Sequence, residues 1–534
     1  MESTSSTASK YPSARLTLTA ALVSLLTYFP VGYHYSVLNV AHQIFAGMVN
    51  GSLDTGRKLD FSKNETFDED FAQNFNVEAL VASTLALWQA GAAFGSLNAC
   101  WAMEKFGRKR TLLILANFLQ IAGSSAMGFS VLGARSENFL LFMMTGRFVA
   151  GLASGLVCVG LRVFLSECSP DAFRGTVNSF GGVVMFLGVI SATVLGLPEF
   201  LGTTDHFGYL VALCVVPASL GLFLDLFLPS TPKFLYLNRR DREEAEKSLN
   251  FYHGSSAEID LLFKEYDREA KLTMDELGFF DAIKQKSVRL PLFMSFVAGL
   301  CFSSTGIDIY DTYSTEIFHH FGLSEHSAQF SSTLFNLAGL FSAILTVFLV
   351  DKMPRRKLLL YSLTTCFVCA LIVVFMSLLS LISGGHNSET VGYTSVAVLS
   401  VATFAYGLGP GAVLEALFAE LSPHKIRSAA GAVSETSFWT SNVLYIFAFP
   451  LLFRWTGPPA ALLFVLPLGL CLAYFWFRLP ETGRSSVYQV ARNMKCVQDK
   501  GQLLRGNTKH VTLVDDSGEE YLDDFLAKGD PQVA

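Results

Sequence analysis

Asp308 and Asp311 stand three residues apart in an otherwise apolar stretch, interleaved with Tyr310 and Tyr313. In a helix that spacing puts both carboxylates on nearly one face, and acids at membrane depth are costly enough to mark function by default. A further acid, Glu415, interrupts a later apolar run, and His34 sits in Gly32-Tyr33-His34-Tyr35-Ser36 near the start of the chain. The chemistry open to these groups is recognition and proton exchange, not bond making. Carboxylates and aromatic rings form a wall suited to a cation. A histidine can titrate near neutral pH and couple a proton to another movement, or serve as a neutral hydrogen-bonding group. Asp311 also fits a plainer place, the outer end of its helix where water reaches it. No phosphate-binding loop, metal-ligand cluster or nucleophile motif accompanies these residues, so no enzyme activity, cofactor, ATP or nucleic acid is expected.

A second set of charges comes in duplicate. Residues 167–174 read ECSPDAFR, and residues 420–427, 253 positions later, read ELSPHKIR. KFGRKR at 105–110 is matched by KMPRRK at 352–357, and PSTPK at 229–233 by PETGR at 480–484. Three paired boxes at nearly one offset mean two homologous halves. Each box follows or opens a long apolar run, so Arg108, Glu167 and Arg174 in one half, and Arg355, Glu420 and Arg427 in the other, can pair across one membrane face. Such a latch holds that face closed while a central site opens to the other side. Glu167 and Glu420 have no part in setting membrane orientation, which favours a latch over a purely topological role.

The elements that position these residues follow from composition. The chain is 51% hydrophobic and 16% charged, against about 25% charged in an ordinary soluble domain. Its charges gather into islands between apolar runs of about 20 residues, the length that crosses a bilayer. Twelve such runs are expected, the first at about residues 16–39 and the last at about 460–478, giving an all-α membrane protein of two six-helix, pseudo-symmetric bundles. The expected layout is a short N-terminal segment over 1–15, a first bundle over 16–229, linker helices over 230–288, a second bundle over 289–478 and a polar tail over 479–534. Lys and Arg in the short loops cluster on the side of the boxes, which places both termini in the cytosol. The long loop over 40–78 then lies outside, and its two sequons at Asn50 and Asn64 agree. None of the nine cysteines falls in that loop, so no disulfide framework is expected.

The motifs Gly107-Arg108-Lys109, Gly146-Arg147-Phe148, Glu167 to Gly175, Pro229 to Phe234 and Pro480 to Arg484 resemble the sugar-transporter family of the major facilitator superfamily, and within it the animal facilitative hexose transporters. The resemblance covers residues 16–490 or so. It implies the major facilitator fold, alternating access around a central cavity, and a plasma-membrane carrier of a hexose or related polyol. Trp439, Asn442, Tyr313, Ser314 and Thr315 are retained from the family's sugar site, and Asn336 lies about one turn from its sugar-contacting Asn. At the His34 position, proton-coupled relatives carry Asp and passive ones Asn.

The family's sugar-holding amides, however, are replaced. The glutamine of the fifth span falls at Gly182, the glutamine pair of the seventh at Phe302 and Ser303, the nearby asparagine at Asp308, and the tryptophan of the tenth near Val413 or Glu415. Amides donate and accept at once, and each sugar hydroxyl left unpaired costs roughly 1–3 kcal/mol. Three readings therefore stand open: a sugar or polyol carrier with an altered grip, a proton-coupled or cation-selective carrier using His34, Asp308 and Glu415, and a sensor that keeps the fold without transport.

Overall fold

The computed structural model describes residues 13–53, 75–132, 138–170, 174–254, 259–273, 289–349, 353–382, 389–414, 427–456 and 458–479. Among the described residues there is no strand, and twelve helices are long and apolar enough to cross a membrane. They run over Ala14–Ser36, Val77–Phe106, Arg108–Val131, Asn138–Cys168, Thr176–Leu195 and Phe207–Leu224. After the linker they run over Arg289–His320, Glu325–Leu349, Arg355–Leu379, Glu389–Leu408, Ala430–Phe453 and Pro459–Arg478. Asn64, Glu415, Glu420 and the tail beyond residue 479 lie outside the described residues. So do the side chains of Arg174 and Arg427, whose backbones open the helices Arg174–Leu195 and Arg427–Thr456.

Three departures from the expected boundaries have local causes. The tenth span stops at Leu408 because Pro410 cannot donate to a continuing helix, and a wider π-turn over Pro410–Leu414 follows. The seventh runs on to His320 through a break at Gly306. The stretch after the first span is not simply a loop, since His42–Leu53 is helical and carries Asn50.

Helix contacts follow membrane rules. Gly91 and Gly95 of the second span lie against Gly151 and Gly155 of the fourth so closely that a Cβ on any of them would strike the facing backbone, the small-residue contact that lets helices approach in lipid. Large apolar side chains point outward instead, as at Leu226, Phe477 and Ile382, each at least 75% exposed. The second span packs on the eleventh and the fifth on the eighth, so helices from both sides of the linker enclose the centre.

The linker adds helices over Pro232–Leu237, Arg242–His253 and Ile259–Thr273. Asp241 caps the second by accepting from Glu244 N at 3.0 Å, and Leu235, Ala245, Leu249 and Phe263 form a small core of their own. Tyr252 docks this unit: its hydroxyl donates to Pro229 O at 2.9 Å, and its carbonyl accepts from Ser13 Oγ at 2.7 Å. The membrane face carrying these helices is called the linker face below.

Candidate solute-binding site

The seventh span is two helices, Arg289–Ser304 and Ile307–His320, joined through Gly306, whose φ of 75° is left-handed. A Cβ there would also meet the Phe464 ring. The break puts Asp308 in the first turn of a helix deep in the protein, where the positive end of the helix dipole favours a carboxylate. Discontinuous helices of this kind expose backbone only where protein or a cavity receives it. Asp308 Oδ2 accepts from Asn442 Nδ2 at 2.8 Å, and Asn442 Oδ1 accepts from Ser303 Oγ at 2.7 Å. One amide from the eleventh span thus bridges both pieces of the seventh.

One turn from Asn442, Trp439 forms a wall of the central cavity. Tyr28, Phe302, Tyr406 and Phe438 add aromatic surface, and Arg162 and Glu435 add charge. Phe302 lies 4.7 Å from Phe438 and 5.3 Å from Tyr406, ring centre to centre, so one of the positions where the family keeps amides now extends an aromatic lining. Trp439 meets Trp88 of the second span edge to face at 5.7 Å, and both indole N–H groups are buried without a hydrogen-bond partner. A buried unpaired donor is costly, and both are packed at the contact between the second and eleventh spans. A Cβ on Gly182 would meet nothing within 4 Å, so the position of the family's fifth-span amide is open space.

Toward the face opposite the linker the two halves are sewn together around Asp311. Its Oδ2 accepts from Ser36 Oγ of the first span, and its Oδ1 accepts from Asn336 Nδ2 of the eighth at 2.8 Å. Asn39 Nδ2 donates to Asp311 O at 2.6 Å, to Ser314 Oγ at 2.8 Å and to Ser332 Oγ at 3.0 Å. Asp311 is 6% exposed, so the water-reached helix end is not where it lies. Beyond this seam His42 Nδ1 meets Glu316 Oε1 at 2.8 Å. Burial alone would lower the His42 pKa, but attraction and hydrogen bonding from Glu316, with Glu78 adding to them, outweigh it and raise it above 6.5. The outermost tie, His326 to Glu199 at 3.2 Å, is exposed and worth little.

On the linker face, Arg108 Nε lies 3.0 Å from Glu167 Oε1, and Thr231 Oγ1 donates to Glu167 Oε2 at 2.6 Å. All three boxes of the first half therefore meet at one carboxylate. Lys109 pairs with Asp225 at 3.3 Å and donates to the Asp225 and Leu228 carbonyls. Arg355 opens the ninth span half-buried.

The predicted residues therefore separate. Asp308, Asn442 and Trp439 come together with Ser303. Tyr313 donates to Ile446 O at 3.0 Å, and Asn336 is engaged by Asp311 in the seam. His34 is fully buried within the first six helices, away from the cavity lining. Gln120 Nε2 donates to His34 Nε2, which leaves the neutral ring's proton on Nδ1. Arg147 Nη1 donates to His34 O at 3.0 Å and stacks over Trp88, as expected of a structural arginine.

Two further charges lie well inside apolar runs, Arg162 in the fourth span and Glu435 in the eleventh. They pair with each other across the halves at 2.6 Å, while Asp225 takes Lys109.

A family model described as "Sugar (and other) transporter" matches residues 17–494. The solute carrier family 2, facilitated glucose transporter member 3 of rat is 28% identical over 89% of this chain and 92% of its own length, and that of dog is 26% identical over 89% and 91%. Among solved structures, the proton:xylose symporter XylE bound to 6-bromo-6-deoxy-D-glucose superposes with a TM-score of 0.68 at 19% identity, over 90% of this chain and 98% of the other. The inward-open form of XylE from E. coli gives 0.68 at 18% identity, over 89% and 99%. This likeness establishes the major facilitator fold.

Proposed function

Since the chain belongs to the sugar (and other) transporter family, we propose that it carries a hexose or a related sugar or polyol passively across the plasma membrane by alternating access. The observation that carries this reading is a central cavity that lies between two sets of contacts joining the halves. The Asp311 seam ties the first span to the seventh and eighth on one side, and Arg162–Glu435 ties the fourth to the eleventh on the other. A carrier needs two gates that release in turn, and the charged linker face supplies the frame against which the inner one works.

Passive carriage is supported by His34, whose acceptor nitrogen is engaged by an amide in the place where a proton-coupled relative has an acid. Asp308 is tied to Asn442 instead of standing free for a cation. The lysines and arginines of the boxes support a cytosolic linker face with both termini cytosolic, which leaves Asn50, on a partly exposed helix, outside for glycosylation. Arg174, Arg427 and Glu420 belong, on this reading, to the same cytosolic latch as Arg108, Glu167 and Arg355.

Uptake of radiolabelled glucose, fructose and a polyol panel into proteoliposomes, with and without a pH gradient, tests the proposal. Gradient-independent uptake that disappears in Trp439→Ala is the expected result. Folded protein that moves no member of the panel overturns it, and uptake that follows the gradient and is lost in His34→Ala overturns the passive mechanism.

A further inference from the structure

Arg162 and Glu435 stand where the cavity meets the boundary between halves. Their side chains are 24% and 11% exposed, and both line the cavity. Arg162 is five residues short of Glu167, so it lies about 7 Å deeper than the linker-face latch, at 1.5 Å per residue. They are the charged groups among the described residues of that lining; the rest is mostly aromatic or aliphatic, with Ser434 adding a hydroxyl. If closing the cavity were the whole task, two well-packed apolar residues would serve at least as well, because an ion pair taken out of water gives back in desolvation much of what attraction supplies. A paired guanidinium and carboxylate in such a wall calls for a further use.

Resting on the sugar-carrier reading, we infer that Arg162 and Glu435 are together the polar recognition element for neighbouring hydroxyls of the cargo. The guanidinium donates to a hydroxyl oxygen and the carboxylate accepts from a hydroxyl, so the pair supplies the two capacities that amides combine in one group. Tyr28, Phe302 and Phe438 offer ring surface to the C–H face of the same molecule. Polyol recognition has in this way moved from the positions of Gly182, Phe302 and Ser303 to the linker-face end of the cavity. The pair also joins the fourth span to the eleventh. Cargo that draws hydrogen bonds from it loosens the tie between halves, so loading and opening toward the linker face are one event.

The test is equilibrium exchange of glucose and its monodeoxy analogues by the full-length protein in proteoliposomes, comparing wild type with Glu435→Ala, Arg162→Ala and the swap Arg162→Glu/Glu435→Arg. KM for glucose is expected to rise about tenfold in Glu435→Ala, the scale of one charged hydrogen bond. At least one deoxy analogue that costs wild type about tenfold in KM costs Glu435→Ala nothing more, since hydroxyl and carboxylate form a single contact. The swap restores the tie between halves, and with it thermal stability, without restoring the low KM. Deoxy penalties that are the same in wild type and both alanine variants, or full recovery of KM by the swap, overturn the inference and leave the pair as a bolt. Wild-type protein that exchanges none of these sugars removes the carrier reading itself.

Discussion

Asn442 Nδ2 donates to Asp308 Oδ2 at 2.8 Å while Asn442 Oδ1 accepts from Ser303 Oγ, so the amide fastens both sides of the break in the seventh span. Asn442→Ala leaves a buried carboxylate short of a donor. Thermal unfolding of detergent-purified protein should show a loss of about 1–3 kcal/mol, and Asn442→Asp a larger one through like-charge repulsion. Asp308→Asn in the Asn442→Asp background reverses the pair's polarity and should recover part of the loss. No recovery would separate the two residues energetically.

The His42–Glu316 tie gives the seal opposite the linker a pH dependence with a defined sign. Protonated His42 is favoured in the closed state, where Glu316 and Glu78 raise its pKa above 6.5 and Tyr313 lies edge-on at 6.3 Å. The contribution is complete below about pH 6.5 and fades as pH climbs through the raised value. Exchange should therefore slow as the compartment this face looks onto is acidified, when opening of this face limits turnover. His42→Gln should flatten the profile between pH 6 and 8; an unchanged profile assigns the titration to another group.

Gly182 offers a gain of function. Its missing side chain leaves open space, so Gly182→Gln should fold normally and lower the KM for glucose about three- to tenfold by adding one amide to the site. Gly188→Gln, where a Cβ would strike the Phe29 carbonyl, is the contrasting control and should fail to reach the surface. Equal expression of both variants would contradict this account of the packing.

Glu167 accepts from Arg108 at 3.0 Å and from Thr231 at 2.6 Å. Glu167→Gln keeps a hydrogen-bonding carbonyl but removes the charge, and Glu167→Ala removes both. Stability should fall in the order wild type, Gln, Ala, with the alanine variant losing about 2–3 kcal/mol for leaving a partly buried guanidinium unpaired. The linker-side ends should also become more accessible to a membrane-impermeant thiol reagent at an introduced cysteine.

What could be read from the sequence divides along a physical line. The twelve spans rest on runs of like residues and the Arg108–Glu167 contact on repeated spacing, which a single chain displays directly. Asp308 was identifiable because an acid in an apolar run must have a reason. Arg162 and Glu435 were visible singly, but their partnership joins positions 273 apart on different helices, and nothing local encodes which charge faces which. The seam around Asp311 was hidden for a related reason: Ser36, Asn39, Ser314 and Ser332 are unremarkable polar residues, each cheap alone, that matter only once three helices converge. His34 was placed by its titration range, whereas its surroundings, Gln120, Ser124 and Arg147, come from two other spans.

The left-handed turn at Gly306 has a mechanical consequence. Beyond it the helix is broken again at Tyr313, whose φ of −117° and ψ of 15° are not helical. Asp311 sits on the piece next to Gly306 and holds Ser36, while Ser314 and Glu316 sit on the piece beyond and hold Asn39 and His42. Two hinges in one span let these two sets of contacts release one after the other. Opening at that face should therefore pass through a half-open state in which the Asp311 contact persists.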